Sequence, residues 1–213
     1  MRIAGVDDAG RGPVIGPLVI AGVLLNEDQI EELKNLGVTD SKLLTSKRRE
    51  ALSDEIKKRA MNWEVIEVSP SEVDRAVLEG VKYRKLNWLE AITMANLIER
   101  LRPEVAYVDA SDTNEARFSR QISEMLSFDV RIVSEHFADV NYTVVSAASI
   151  IAKVQRDSVV SSLREKYGDL GSGYPSDPKT RKFLAKWVIE RGSIPDFARK
   201  SWKTFMRLKY EEI

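Results

Sequence analysis

The run Gly5-Val6-Asp7-Asp8-Ala9-Gly10-Arg11-Gly12-Pro13 limits what this chain can become more than any other stretch of it. An apolar strand leads into two adjacent carboxylates, and a glycine-flanked arginine follows at once. A buried Asp-Asp pair at a strand end is costly unless something positive neutralises it. The natural neutraliser is a hard divalent cation such as Mg²⁺, which prefers oxygen ligands. The glycines then allow backbone and one guanidinium to approach a phosphate or sugar closely.

A chain of 213 residues with 43% hydrophobic content supports one large domain with an ordinary core. It contains no Cys, which excludes disulfide scaffolds, thiolate metal sites and thiol nucleophiles. No stretch approaches the roughly 18 consecutive apolar residues that span a membrane. Met1-Arg2 leads straight into a strand without the pattern of a signal peptide, so a cytoplasmic protein is expected. Formal net charge is zero, but its distribution is uneven. Between Gly171 and Tyr210 ten Lys and Arg face three acids, and with Glu211 and Glu212 the segment carries +5, leaving −5 on residues 1–170. A basic C-terminal part beside an acidic body suits a polyanion held near a carboxylate-rich centre.

Strands are expected over Arg2–Asp8, Pro17–Leu25, Trp63–Val68, Val105–Asp109 and Val130–Val133. Helices are expected over Thr45–Ala60, Lys82–Leu101, Asn114–Leu126, Tyr142–Tyr167, Lys179–Arg191 and Trp202–Tyr210. Three early strands followed by strands alternating with helices predict an α/β fold with a mixed five-stranded sheet, extended by helices at the C-terminus. The expected division is a catalytic domain over residues 1–170 and a basic helical extension over 171–213, packed on the same domain.

Asp109 follows Val105-Ala106-Tyr107-Val108, at the C-terminal end of a strand, where open α/β sheets place ligands. By spacing alone Asp139 reads as the N-cap of the long helix. Four acids from three segments meeting at one sheet end would form a two-metal site, with cations about 3.5–4 Å apart acting on a phosphodiester. Serine-based chemistry would depend on the only histidine, His136.

These residues also carry a resemblance. Asp7-Asp8-Ala9-Gly10-Arg11-Gly12-Pro13 resembles the D-E-A-G-R-G-P signature of type 2 ribonucleases H (ribonuclease HII), in their archaeal form. Asp40-Ser41-Lys42 with Leu44 resembles that family's D-S-K-x-L segment. Tyr107-Val108-Asp109, Glu135-His136-Phe137-Ala138-Asp139, Ser146–Lys153, Gly171–Pro178 and Trp202-Lys203-Thr204 follow in the family's order. The resemblance implies a ribonuclease H-like sheet. It also implies metal-dependent endonucleolytic cleavage of RNA in RNA–DNA hybrids and on the 5′ side of ribonucleotides embedded in duplex DNA.

By the same resemblance, Asp7, Asp8, Asp109 and Asp139 match the positions that bind Mg²⁺ or Mn²⁺. Gly10, Arg11 and Gly12 match the loop that reads the ribose 2′-OH and the adjoining phosphate, and Tyr174 matches the tyrosine that stacks at the RNA–DNA junction. Lys42, Lys153 and Asn87 are candidate contacts to phosphate or sugar. A monomer is expected, and a replication clamp is a partner that no sequence feature supports. The chain departs from the family at Asp8, where the family has Glu. The shorter side chain withdraws the carboxylate by over an ångström, against a tolerance of about 0.5 Å for catalytic groups. The alternative this raises is a catalytically weakened hybrid-binding homologue. Phe137 and Leu43 stand where the family commonly has Lys, which removes positive charge near Asp139 and Lys42.

Overall fold

In a computed structural model of the chain, residues 1–39, 41–80 and 85–208 are described, 206–208 without their side chains. Asp40, the first residues of the helix expected from Lys82, and the end of the one expected to reach Tyr210 lie outside the described residues.

The five expected strands form one sheet. They are β1 (Arg2–Ala9), β2 (Leu18–Asn26), β3 (Asn62–Val68), β4 (Val105–Asp109) and β5 (Arg131–Glu135), in the order β3-β2-β1-β4-β5. β1 and β2 are antiparallel, with Arg2 opposite Asn26 and Ala9 opposite Val19. β1 runs parallel to β4, and β4 parallel to β5. β2 is buried along nearly its whole length, and its unbroken run of apolar residues reflects burial on both faces.

The helices are α1 (Glu27–Asn35), α2 (Ser46–Arg59), α3 (Pro70–Glu79), α4 (Leu86–Leu101), α5 (Glu115–Ser123), α6 (Ala138–Asn141), α7 (Thr143–Tyr167), α8 (Pro178–Arg191) and α9 (Lys203–Leu208). A single 3₁₀ turn covers Ser41–Leu43. Starts follow their caps. Thr45 Oγ1 accepts the N–H of Arg48, Asn114 Oδ1 accepts that of Arg117, and Asp177 caps α8 ahead of Pro178. Among the described residues no helix is long and apolar enough to cross a membrane.

Three helices lie outside the expected set. α1 and α3 each carry a reciprocal capping box, Asn26 with Gln29 and Ser69 with Glu72. α6 is a single turn, and it corrects the reading of Asp139 as an N-cap. The cap is Phe137, in the left-handed region at φ 60°, and Asp139 lies inside the turn. The cause is a tertiary contact, the Ala138 N–H donating to Asp109 Oδ1 at 2.8 Å, which turns the chain at Phe137.

The described chain divides into two compact units. One comprises Met1–Ala9, Val19–Ile66 and Asn87–Gln155. Its core gathers Val19, Val23 and Leu25 of β2 with Leu52 and Ile56 of α2 and Val145, Ala148 and Ile151 of α7. β1 passes so close to the start of α7 that a methyl at Gly5 would lie 2.2 Å from the Val144 carbonyl oxygen. The other unit falls within Gly10–Leu18, Glu67–Leu86 and Arg156–Ile213. Its own core is built from Val14, Ile15, Val160, Leu170, Leu184, Ala198 and Phe205.

Candidate active site

In the first unit, parallel pairing of β1 and β4 sets Val6 opposite Val108. Asp7 and Asp109 are the next step along the two strands, at their C-terminal ends. The Asp7 side chain is 4% exposed, and its Oδ1 accepts the N–H of Asp8 at 2.7 Å. Burial first, and then the charge of Asp109, push the Asp7 carboxyl up from 3.8 to about 7. The Lys153 ammonium, a hydrogen bond with Ser149 and the Asp8 N–H pull it the other way. The Asp109 carboxyl is raised by burial, lowered by the Ala138 N–H, raised again by Asp139 and lowered by Lys42. Asp139 is 3% exposed, and its Oδ2 accepts from Lys42 Nζ at 3.1 Å. Its Oδ1 is buried and has no hydrogen-bond partner among the described residues. Asp8 follows Asp7 on β1, so strand alternation turns its side chain to the opposite face.

α7 meets this group with a polar stripe at Ser146, Ser149 and Lys153, residues that share one helix face. Ser146 Oγ donates to the Asp139 carbonyl at 2.6 Å, anchoring α6 to α7. Lys153 Nζ donates to Ser41 Oγ and Ser149 Oγ, both at 2.6 Å, and the two hydroxyls lie 2.9 Å apart. Lys42 and Lys153, expected as substrate contacts, thus stand here as counter-charges to the carboxylates. Asn87 is placed differently, on the carboxylate of Asp112, which Arg117 also holds. His136 sits against Glu115, its Nε2 3.9 Å from that carboxylate.

Among the described residues no three His, Cys, Asp or Glu side chains form a ready cage for a metal ion. The donors fit an ion of another kind. Mg²⁺ retains several waters and takes one or two carboxylates plus substrate phosphate oxygens, rather than a closed protein cage. A buried, unpartnered Asp139 oxygen and carboxyls whose ionisation is opposed both call for a hard cation.

The second unit holds the loop that follows β1. Gly10 has φ +92°, and a methyl there would lie 2.7 Å from the Pro17 carbonyl oxygen, so only glycine serves. Arg199, fully buried, ties the loop down. It donates Nε to Gly16 O at 3.2 Å, Nη1 to Arg11 O at 3.0 Å and Nη2 to Gly10 O at 2.6 Å. Trp202 Nε1 donates to Gly12 O at 3.0 Å. The Gly173 carbonyl accepts from the N–H groups of Val14 and Ile15, which places the next residue, Tyr174, beside the loop. A methyl on Gly12 would lie 3.4 Å from Tyr174 Cε1, and the Tyr174 side of this contact is 43% exposed. Ser41, Ser149 and Arg199 were not singled out from sequence. Ser149 carries a usable signal, a hydroxyl three residues after Ser146 and four ahead of Lys153 in the apolar first half of α7, and Ser41 carries none of that kind. Arg199, one basic residue among ten in its segment, carries none.

A sequence model of the family described as Ribonuclease HII matches residues 4–205. A Ribonuclease HII of Thermococcus sibiricus is 45% identical over 211 residues, covering 98% of this chain and 92% of that one. The crystal structure of ribonuclease H2 from Pyrococcus horikoshii matches with a TM-score of 0.91 and 40% identity, covering 99% of this chain and 98% of that one. The RNase HII from Archaeoglobus fulgidus, solved as a PCNA:RNase HII complex, matches with a TM-score of 0.87 and 45% identity, covering 97% and 96%. Likeness of this degree, from end to end of both partners and in sequence as well as backbone, shows that the chain belongs to the ribonuclease HII family and is a metal-dependent phosphodiester endonuclease of the ribonuclease H kind.

Proposed function

We propose that this chain hydrolyses the RNA strand of RNA–DNA hybrids and cuts on the 5′ side of ribonucleotides embedded in duplex DNA, leaving 5′-phosphate and 3′-OH ends. Asp7, Asp109 and Asp139 would hold Mg²⁺ or Mn²⁺, and Asp8, at the strand end beside Asp7, is the fourth candidate, whose carboxylate must turn back around the strand end to join them. The observation that carries the reading is the grouping of Asp7, Asp109 and Asp139, acids from three distant segments, with one buried oxygen that has no partner among the described residues. A pair of divalent ions supplies charge that stabilises the attacking and leaving oxygens of a phosphodiester displacement.

The chain's own residues prepare for that charge. The Asp8 N–H and Ser149 fix the orientation of Asp7, and the Ala138 N–H fixes that of Asp109. Lys42 and Lys153 limit the repulsion among the carboxylates before substrate arrives, and Lys42 can release Asp139 to a phosphate-bearing ligand. Gly10, Arg11 and Gly12 offer a rigid loop at close range to the 2′-OH, the group that distinguishes RNA within a duplex. Tyr174 offers an exposed aromatic face to the RNA–DNA junction. A sliding clamp is the protein partner to test, on the strength of the Archaeoglobus fulgidus complex.

The test is cleavage in Mg²⁺ or Mn²⁺ of three labelled substrates: a hybrid, a DNA duplex with one ribonucleotide, and all-DNA duplex. The first two are expected to be cut and the third left intact, with EDTA abolishing the reaction. Comparable cutting of the all-DNA duplex would point instead to a DNA-directed nuclease. Asp8→Glu belongs in the same assay. Little change means that Asp8 serves at its shorter reach, whereas cleavage by Asp8→Glu alone would make the native chain a hybrid binder.

A further inference from the structure

Two arginines are buried at the loop that follows β1, and they differ in one respect. Arg199 spends its guanidinium on the carbonyls of Gly10, Arg11 and Gly16. Arg156, on α7, is 8% exposed, and its Nε and Nη2 are buried without a hydrogen-bond partner among the described residues. An ion pair runs from Nη1 to Asp157 Oδ1 at 3.4 Å, and the side chain of that aspartate is 44% exposed. The guanidinium lies 5.5 Å from the centroid of the Tyr174 ring. A cation–π contact of this length returns less than removal of a guanidinium from water costs. The arrangement therefore leaves a buried cation with two donors unspent.

The surroundings of Arg156 are specific. A methyl on Gly10 would stand 3.0 Å from Arg156 Cδ and 3.2 Å from its Nε, and one on Gly173 would stand 3.6 Å from its Nη2. Two glycine backbones, which carry no side chain to fill the space, thus border the guanidinium beside the Tyr174 ring, which is itself 43% exposed. Nε and Nη2 lie on one edge of the guanidinium as a pair of parallel donors. A planar pair of N–H groups matches two oxygens of a phosphate.

We infer that Arg156 is a further substrate-binding residue of this enzyme, whose Nε and Nη2 take two oxygens of a backbone phosphate of the hybrid when the Tyr174 ring swings from the guanidinium onto the substrate. The inference rests on the proposed function. It ties the stacking of Tyr174 to a phosphate contact, so that the ring leaves the cation only where a phosphate replaces it.

The experiment is equilibrium binding of a short fluorescein-labelled RNA–DNA hybrid in EDTA across a range of salt, with wild type, Arg156→Met and Arg156→Lys. Loss of one phosphate contact is expected to reduce the slope of log K against log salt by about 0.9 in Arg156→Met. Affinity at the lowest salt should fall about tenfold or more, in the range for a lost charge-assisted contact. Arg156→Lys should keep the wild-type slope at reduced affinity. An unchanged slope in a folded Arg156→Met would overturn the inference, since a purely structural arginine changes affinity without changing the number of phosphates neutralised. Should Arg156→Met fail to fold, the Nε–H resonance of Arg156 in wild type, assigned through Arg156→Lys, is the second readout. It must shift on addition of hybrid, and an unmoved resonance in a saturated complex rejects the contact. A wild type that neither binds nor cuts the hybrid would overturn the functional reading itself, which separates the two failures.

Discussion

Burial and the negative charge of Asp109 both oppose ionisation of Asp7, and the consequence can be measured without substrate. In the unfolded chain this carboxyl titrates near its ordinary value of 3.8, and in the folded chain near 7. Between those values the folded state keeps a proton that the unfolded state has lost, so stability falls as pH rises from about 4 to about 7. Above that window the metal-free protein carries the full cost, up to about 4 kcal/mol from a shift of this size. Asp7→Asn removes the charge, so in EDTA at pH 8 it should melt several degrees above wild type, the gap closing toward pH 4. Added Mg²⁺ should raise the melting temperature of wild type more at pH 8 than at pH 6, and leave Asp7→Asn little changed. Equal melting curves for the two proteins in EDTA at pH 8 would mean that Lys153 and Ser149 already neutralise the carboxylate.

Between elements, Gly5 marks a tight fit and Phe137 a strained turn. At Gly5 the chain accepts no Cβ, because a methyl would stand 2.2 Å from the Val144 carbonyl oxygen and 2.5 Å from the Val145 nitrogen. Gly5→Ala must push β1 away from α7, and the expected loss is on the order of 3 kcal/mol or more, at the upper end for core overpacking. Chemical denaturation would show it as a lower midpoint with an unchanged slope. Phe137 shows the opposite imbalance, with a left-handed backbone and a side chain 69% exposed. Phe137→Gly should stabilise the metal-free protein by about 1 kcal/mol, because the strain goes and little packing is lost. The same two sites show what sequence could reveal. Periodicity and caps place all five strands and the helices α2, α7 and α8 to within a residue or two, because apolar runs and N-caps act locally, whereas α5 ends three residues before its expected end and α1 and α3 were not expected. The turn at Phe137 is set by the Ala138 N–H reaching Asp109, some thirty positions away, and no local pattern announces it. Asp7 and Asp109 are readable as strand-end carboxylates, whereas Asp139 by spacing reads only as a helix cap. Lys42 and Lys153 are candidates from the sequence as substrate contacts, but their place beside the acids, with Ser41 and Ser149, shows only once α7 and the turn at Ser41 are brought together.

At the scale of the whole molecule, a chain with no net charge must hold a polyanion by distribution rather than by bulk attraction. Residues 171–213 carry +5 against −5 on the rest. Part of that charge, together with Lys166 ahead of the segment, lines a cavity of about 600 Å³ formed by Tyr167, Phe183 and Trp187 with Lys179, Lys182, Lys186 and Arg191. Lys179 is paired with Asp169, and Lys186 with Glu190. Arg191 lies over the Trp187 ring at 4.0 Å. Lys182, and Lys166 with its Nζ 5.1 Å from the Tyr167 ring centroid, are the natural ammonium groups for a duplex backbone on this face. If both contact phosphates, replacing the pair with Gln should reduce the salt slope of hybrid binding by about 1.8, at 0.9 for each neutralised phosphate. Both residues are exposed, so melting temperature should stay within a degree or so of wild type, and cleavage at saturating hybrid should be unchanged. The effect should be equal on a hybrid and on DNA with one ribonucleotide, because phosphate contacts position a duplex without reading it. A slope that survives the double substitution would assign the grip to the loop after β1 and its own arginines, and leave the basic helices with solvation alone.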